Sequence, residues 1–462
     1  MSGTFGTPEP GTSPVPGSGR RRAPKIPGQR TQGEPASSTS EKPETASGLD
    51  TTAPLDMVPV PGATAISGAV PVPGAVEAPT PPAVRKGGRD RYFDLLRAIA
   101  LFRVVLYHLM GWAWLPIVFP SMGVMFALAG NLMSRSLGKR PGPEVIRGRL
   151  RRLLPPLWLL GVIGVTGMVL AGWSPGAEGH PVWWWLHLGY WVLPLSDPPY
   201  ADVSHGIQGL VADDWPAALG VPLWYIRAYL WFVLLSPLLR RALRAAPWPT
   251  ILAPLVLSAA LEFTSATTTS WRLDSTLTDF ATFGSCWLLG MAHHQGVLQK
   301  LPRYTVPSLA PAVAAVALWY ALAHDLHQDH DLDDMPFAQS LWSFATVLLL
   351  LHLSPSWQTW PPALRRWDGL ITLLNSRAVT IYLWHNLCIV IAEPLWDHAW
   401  NIHFLESHAV WLLNSPWPVL PLTWLLTALC VLSFGWVEDL AAGRRPSLWP
   451  DGRTRALRGR GR

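Results

Sequence analysis

From about residue 89 onward the chain is a succession of apolar runs of membrane length, separated by short polar loops. A hydrocarbon core of ~30 Å needs ~20 helical residues. Runs of that kind fall near 93–113, 117–136, 152–172, 222–240, 249–265, 279–295, 305–323, 337–353, 376–396 and 417–437. The expected fold is therefore all-α, a polytopic membrane bundle of about ten transmembrane helices. Composition agrees: 14 % of residues are charged, against roughly 25 % in soluble domains.

The loops give an orientation. Basic clusters precede the first run (RKGGRDR) and follow the second (GKRPGPEVIRGRLRR), fourth (RRALR), sixth (QKLPR) and eighth (RRWDG), and the C-terminus is Arg-rich. Ten spans place all of these on one face and the acidic HDLHQDHDLDDM (324–335) and ADDW (212–215) on the other. By the positive-inside rule both termini are cytoplasmic and the protein is a multi-pass cell-membrane protein. PVWWWLHLGYWVLPL (181–195) is apolar but short, and counting it would break this pattern, so it reads as interfacial or re-entrant. Tryptophans such as Trp112, Trp114 and Trp417 sit near run ends, where interfacial belts place them.

Three segments follow. Residues 1–88 are rich in Pro, Gly, Ser and Thr, which is the composition of a disordered, here cytoplasmic, tail. Residues 89–440 form the membrane domain and 441–462 an Arg-rich cytoplasmic tail. The net charge of +6 lies mostly in tails and loops, so nucleic acid is not an expected partner, whereas the lipid bilayer is. Cys286, Cys388 and Cys430 all lie in apolar runs and suggest no disulfide framework.

Polar groups inside the runs carry the chemistry. A charge near the bilayer centre costs at least ~2.5 kcal/mol and is functional by default. Arg97 and His108 both lie in FDLLRAIALFRVVLYHLMGW (93–112). Eleven positions bring them within about 20° of one helical face and about 16 Å apart along it. The plainer readings are a snorkelling Arg97, paired or not with Asp94, and a hydrogen-bonding His108. Arg103 shares the run on a different face and needs a partner of its own. In RGRLRRLLPPLW (147–158), Arg147, Arg149, Arg151 and Arg152 read as topology signals or as a phosphate clamp. Arg227 lies inside PLWYIRAYLWFVLLSPLL, and Tyr382 and His385 share a face in NSRAVTIYLWHNL, with Arg377 at that run's cytoplasmic end.

In order and spacing these motifs resemble the acyltransferase 3 family of integral membrane acyltransferases, over roughly 89–440. YFDLLRAIALFRVVLYH is similar to the family's first span, with Arg97 and His108 in its R-x10-H spacing. FPSMGVMFALAGNLMSRSL is similar to the second, with Ala129-Gly130 in place of a Ser-Gly-like pair. Arg149 and Arg152 fit an Arg-x-x-Arg at the third span, and IYLWH resembles a Tyr-Leu-x-His ending of a late span. Arg227 follows Trp224 where many members carry a Glu.

The resemblance implies O-acyl transfer of an acyl group, acetyl in the simplest case, from cytoplasmic acyl-CoA to a hydroxyl. The acceptor would be an envelope glycan, a lipid-linked sugar or a secondary metabolite. Arg149 and Arg152 would hold the CoA phosphates and Arg97 would steer its arm. His108 would act as general base or as covalent nucleophile, and Tyr382 and His385 would position the acceptor or stabilise an oxyanion. Acyl-CoA is a cosubstrate in this reading, and no metal is expected. His324, His327 and His330, beside Asp325, Asp329 and Asp331, otherwise read as a metal site or a solvated acidic loop. The rival reading is a secondary transporter or flippase, which also buries Arg and His. Transporters usually repeat their halves, and the Arg–His run has no echo in the second half. A third reading is a non-catalytic scaffold.

Overall fold

A computed structural model describes residues 90–174, 182–201, 206–208, 210–264, 268, 270–324, 331–355 and 357–448. All belong to the compact unit Ala83–Arg462. The expected N-terminal tail and residues 449–462 of the C-terminal tail lie outside them. Among the described residues there are helices and no strands, apart from one isolated bridge between Ile207 and Val211.

Among the described residues ten long helices carry the bundle. They are α1 (Arg91–Met110), α2 (Ser121–Leu137), α3 (Gly142–Leu170), α4 (Leu223–Ala245) and α5 (Pro247–Thr264). Then come α6 (Trp271–His294), α7 (Thr305–Ala323), α8 (Pro336–His352), α9 (Ala378–Asp397) and α10 (Val419–Ala441). Each apolar run of the sequence coincides with one of them. Among the described residues six (α2, α3, α4, α7, α9 and α10) lie in helical segments long and apolar enough to cross a membrane. The apolar α8 is 17 residues, while α1 carries Asp94, Arg97 and Arg103 within its length. The segment after α3 is a ten-residue 3₁₀ helix, Val182–Trp191. At ~2.0 Å per residue it is too short to cross. It lies along α3, where Trp158 Nε1 donates to Val192 O at 2.7 Å and the Trp191 ring packs on Gly161.

Local chemistry sets the ends of α1. Asp90 caps it by accepting from Tyr92 N at 3.0 Å. Gly111 ends it in the left-handed region, φ 60°, where a Cβ is penalised. Just beyond, Trp112 stacks on Trp114 with centroids 5.3 Å apart and meets Trp417 at 5.5 Å, an aromatic cluster at one end of the bundle.

Lipid tails are as apolar as leucine, so helices in a bilayer associate through close packing of small residues. The α2–α6 contact works this way. A Cβ on Gly130 would sit 2.2 Å from Trp287 O, and one on Gly290 would sit 1.8 Å from Ala127 O. The two backbones touch with no room for a methyl group. Gly130 is the second member of the Ala-Gly pair noted in the sequence, so the position that needs a glycine retains it. Gly290→Ala is expected to push α6 off α2 and lower stability by ~1–3 kcal/mol or more. Thermal unfolding of the detergent-purified protein measures this, and an unchanged midpoint would contradict the contact.

Candidate active site

Two cavities meet inside the bundle. The larger, about 560 Å³, is lined by Arg97, Arg149, Arg152, Tyr229, Asn375 and Tyr382 among others. Arg97 lies one and a half turns into α1 and is half-buried. Its Nη1 donates to Asn375 Oδ1 at 3.3 Å. Asn375 is the penultimate residue of the short helix Asp368–Ser376, and its Nδ2 donates to Asp94 O and Ile371 O, both at 2.8 Å. One amide thus fastens that helix to α1 and fixes the Arg97 head at the cavity wall. Asp94 lies 3.9 Å from Arg91 Nη1. Arg149 and Arg152, three apart, put both guanidiniums on one side of α3. Arg149 Nη2 donates to Ser136 Oγ of α2 at 3.3 Å. Arg147 and Arg151 point elsewhere, are exposed and line neither cavity.

The smaller cavity, about 260 Å³, is lined by Arg103, His108, Asp279, Asp333, Gln339 and Tyr382 among others. Tyr382 therefore lies in the wall of both. Eleven residues of one helix carry Arg97 to the first cavity and His108 to the second, about 16 Å on. His108 is exposed to its cavity. Behind it lies His385 of α9, with ring centroids 5.2 Å apart. His385 is fully buried, and its Nδ1 bonds the Tyr382 carbonyl oxygen at 2.7 Å. A carbonyl only accepts, so that nitrogen carries the proton and Nε2 is left as an acceptor. Nε2 has no hydrogen bond within the described residues. The Tyr382 hydroxyl donates to Pro222 O at 3.0 Å. Both protons are committed to backbone carbonyls, so in this conformation neither side chain offers a donor to an oxyanion. The geometry suits them to positioning.

Several groups of the smaller cavity were not identified from sequence. Asp279 is held by Arg227, whose Nη2 lies 2.6 Å from Asp279 Oδ2 and 2.7 Å from Ser275 Oγ. Arg227 also pairs with Asp197 and is 2 % exposed. The arginine found where relatives of the resembled family carry a Glu is thus the anchor of a carboxylate from α6. Arg103, which lacked a partner in the sequence, packs its guanidinium 4.7 Å from the Tyr107 ring centroid. The Tyr107 hydroxyl bonds the Asp331 carboxylate, and Gln339 Nε2 donates to Asp333. Arg103 Nε and Nη2 are buried without a hydrogen bond among the described residues.

Arg377 lines neither cavity. It is fully buried, and its Nη2 lies 2.7 Å from Asp439 Oδ2. Of the His-rich acidic loop, 325–330 lie outside the described residues. His324 stacks on Tyr320, with its Nδ1 2.9 Å from Tyr320 O. Among the described residues no three His, Cys, Asp or Glu form a metal-binding group.

Long apolar helices with charged side chains lining the cavities between them define a multi-pass helical membrane protein. The family model of acyltransferase 3, described as an acyltransferase domain, matches residues 90–435, and the chain belongs to that family. Membership implies membrane acyltransferase activity. Comparison with curated proteins and with solved structures gives no match.

Proposed function

We propose that the chain is an O-acyltransferase that moves an acyl group from acyl-CoA in the larger cavity to a hydroxyl in the smaller one. The observation that carries this reading is the shared wall. Arg97, Arg149 and Arg152 surround one cavity, His108 faces the other, and Tyr382 borders both. Arginine forks match phosphate oxygens, and the 560 Å³ volume accommodates an extended thioester arm.

In this reading all ten long helices cross the membrane, the Arg-rich loops and both termini face the cytoplasm, and the larger cavity opens where acyl-CoA is made. The charged α1 crosses because its polar groups face cavities and partners rather than lipid. His108 takes the proton from the acceptor hydroxyl as its oxygen attacks the thioester carbonyl. The C–S bond then breaks, and the thiolate receives that proton as CoA leaves. His385 lies behind His108 with its Nε2 lone pair unengaged among the described residues, placed to accept a hydrogen bond from the imidazolium once His108 has taken the proton. The carboxylate- and amide-lined smaller cavity suits a hydroxyl-rich acceptor, such as a glycan or lipid-linked sugar.

The donor half is tested by binding. Arg149→Ala with Arg152→Ala is expected to weaken acetyl-CoA binding by at least tenfold, since each charged hydrogen bond contributes ~1.5–3 kcal/mol. Equilibrium binding to purified protein measures it. Unchanged affinity would leave the two arginines as topology signals only.

A further inference from the structure

Arg103 is 6 % exposed and lines the smaller cavity, yet its Nε and Nη2 make no hydrogen bond among the described residues. A buried guanidinium with open donors is costly unless a ligand supplies the acceptors. Its seat is nevertheless built. The guanidinium rests on the Tyr107 ring, and the Tyr107 hydroxyl is held by Asp331. Asp331 also accepts from Asp333 N at 2.6 Å, in the one-turn helix Leu332–Asp334 that precedes α8. Gln339 of α8 then bonds the Asp333 carboxylate. These contacts set Arg103 and Asp333 in the wall of one cavity, and neither buried nitrogen of Arg103 bonds the carboxylate. His108 lines the same cavity five residues on, about 7.5 Å of helix rise.

The charges of this wall narrow what fits. An anionic group would meet Arg103 but also Asp333 and Asp279. A cationic group would leave the Arg103 donors open. A hydroxyl accepts from a guanidinium and donates to a carboxylate at once. With two adjacent hydroxyls, one stands between Arg103 and Asp333 while its neighbour reaches His108. We propose that Arg103 and Asp333 are specificity-determining residues that select a neutral vicinal diol as acceptor, gripping the hydroxyl beside the one that is acylated. This rests on the reading of the smaller cavity as the acceptor site. The gripped hydroxyl is unchanged by the reaction, so the pair sets acceptor affinity and the choice of hydroxyl, and not the rate of the chemical step.

The experiment is acetyl transfer by the full-length protein in phosphatidylcholine nanodiscs. The donor is acetyl-CoA, the acceptors are trans-1,2-cyclohexanediol and cyclohexanol, and the ester is measured by mass spectrometry. A site built to hydrogen-bond a substrate hydroxyl rejects the analogue that lacks it, so the diol is expected to react with at least tenfold higher kcat/KM. Arg103→Met keeps an unbranched apolar stem and removes the donors. It should bring the diol's kcat/KM down to that of cyclohexanol, through KM rather than kcat. Arg103→Lys, which returns a cationic donor without the fork, should recover part of the preference. Asp333→Asn, which keeps an oxygen for Gln339, is the second variant should Arg103→Met fail to fold, and it should lose the preference likewise. Equal use of the two alcohols by the unmodified protein, or an equal loss for both in the variants, would overturn the assignment. So would faster transfer to methyl glucopyranosiduronate than to methyl glucopyranoside, which would make Arg103 the partner of a carboxylate. Transfer to neither alcohol while acetyl-CoA is still cleaved would overturn the diol assignment alone. No cleavage of acetyl-CoA would overturn the acyl-transfer reading with it.

Discussion

His108→Ala is expected to lower acyl transfer by ~10²–10⁴-fold, the usual contribution of a positioned general base. Acyl-CoA affinity should stay within about twofold, because His108 lines the smaller cavity and the donor arginines line the other. His108→Gln, which keeps a hydrogen-bonding group of similar size but no basic nitrogen, should be as inactive as the alanine variant. Turnover of acetyl-CoA by detergent-purified protein gives the rate, and size-exclusion elution reports folding. Full transfer by either variant would remove His108 from the chemistry. Acid quenching during turnover of labelled acetyl-CoA separates its two possible roles: a general base leaves the protein unlabelled, whereas a covalent acyl-imidazole carries label.

Arg377→Ala is expected to cost ~3–5 kcal/mol of stability, the usual result of removing one partner of a buried ion pair, because Asp439 then keeps only the part-exposed Arg444 as a cationic neighbour. Arg377 Nη1 donates to Gly435 O at 2.6 Å, and Nη2 bonds both Asp439 and the Ser447 carbonyl. It fastens α9 to α10 and to the segment after it. Nearby, Thr380 Oγ1 donates to Glu438 Oε2 at 2.8 Å, so both acidic residues at the end of α10 are engaged with α9 or its cap. A Cβ on Gly435 would meet Arg377 Nε at 3.0 Å, which explains the glycine there. The double change Arg377→Met with Asp439→Leu should cost much less than Arg377→Ala, because it removes both charges and keeps the volume. Arg444, 3.3 Å from Asp439, is exposed enough to find water in that variant. Thermal unfolding in detergent gives the comparison. Equal losses for the single and double variants would mean that packing, and not the ion pair, holds the two helices.

Much of the architecture was legible in the sequence because run length and polarity are local. Every long apolar run is a helix, and the short run at 181–195 contains only a ten-residue 3₁₀ helix. The pairing of Arg97 and His108 on one side of α1 followed from 3.6-residue periodicity alone. Helix starts were less visible. The expected start of α6 was 279, yet it begins at Trp271, because Asp274, Ser275, Thr278 and Asp279 look like loop residues. In the fold Ser275 and Asp279 face Arg227, and Thr278 and Asp279 face a cavity, so they never meet lipid. Similarly α3 begins at Gly142, ten residues before its apolar run, because its first turns are the arginine wall.

The partners of buried charges were not legible for a related reason. Arg227 and Asp279 are fifty-two residues apart, and the acidic residues beside Arg103 lie more than two hundred positions away. Helical periodicity gives the direction of a side chain but not the neighbour it meets. Cys388 and Cys430 show the same limit: two cysteines in separate apolar runs bring their sulfurs to 3.7 Å as thiols.

In the proposed reaction one path joins the arginine cavity to His108 past Tyr382. A cryo-EM structure with a non-transferable acetyl-CoA thioether analogue tests it most directly. Phosphates are expected against Arg149 and Arg152, the arm passing Arg97, and the acyl carbon beside Tyr382, with His108 on its far side. A nucleotide at the Asp333 end of the bundle, or an arm that stops outside the larger cavity, would contradict it.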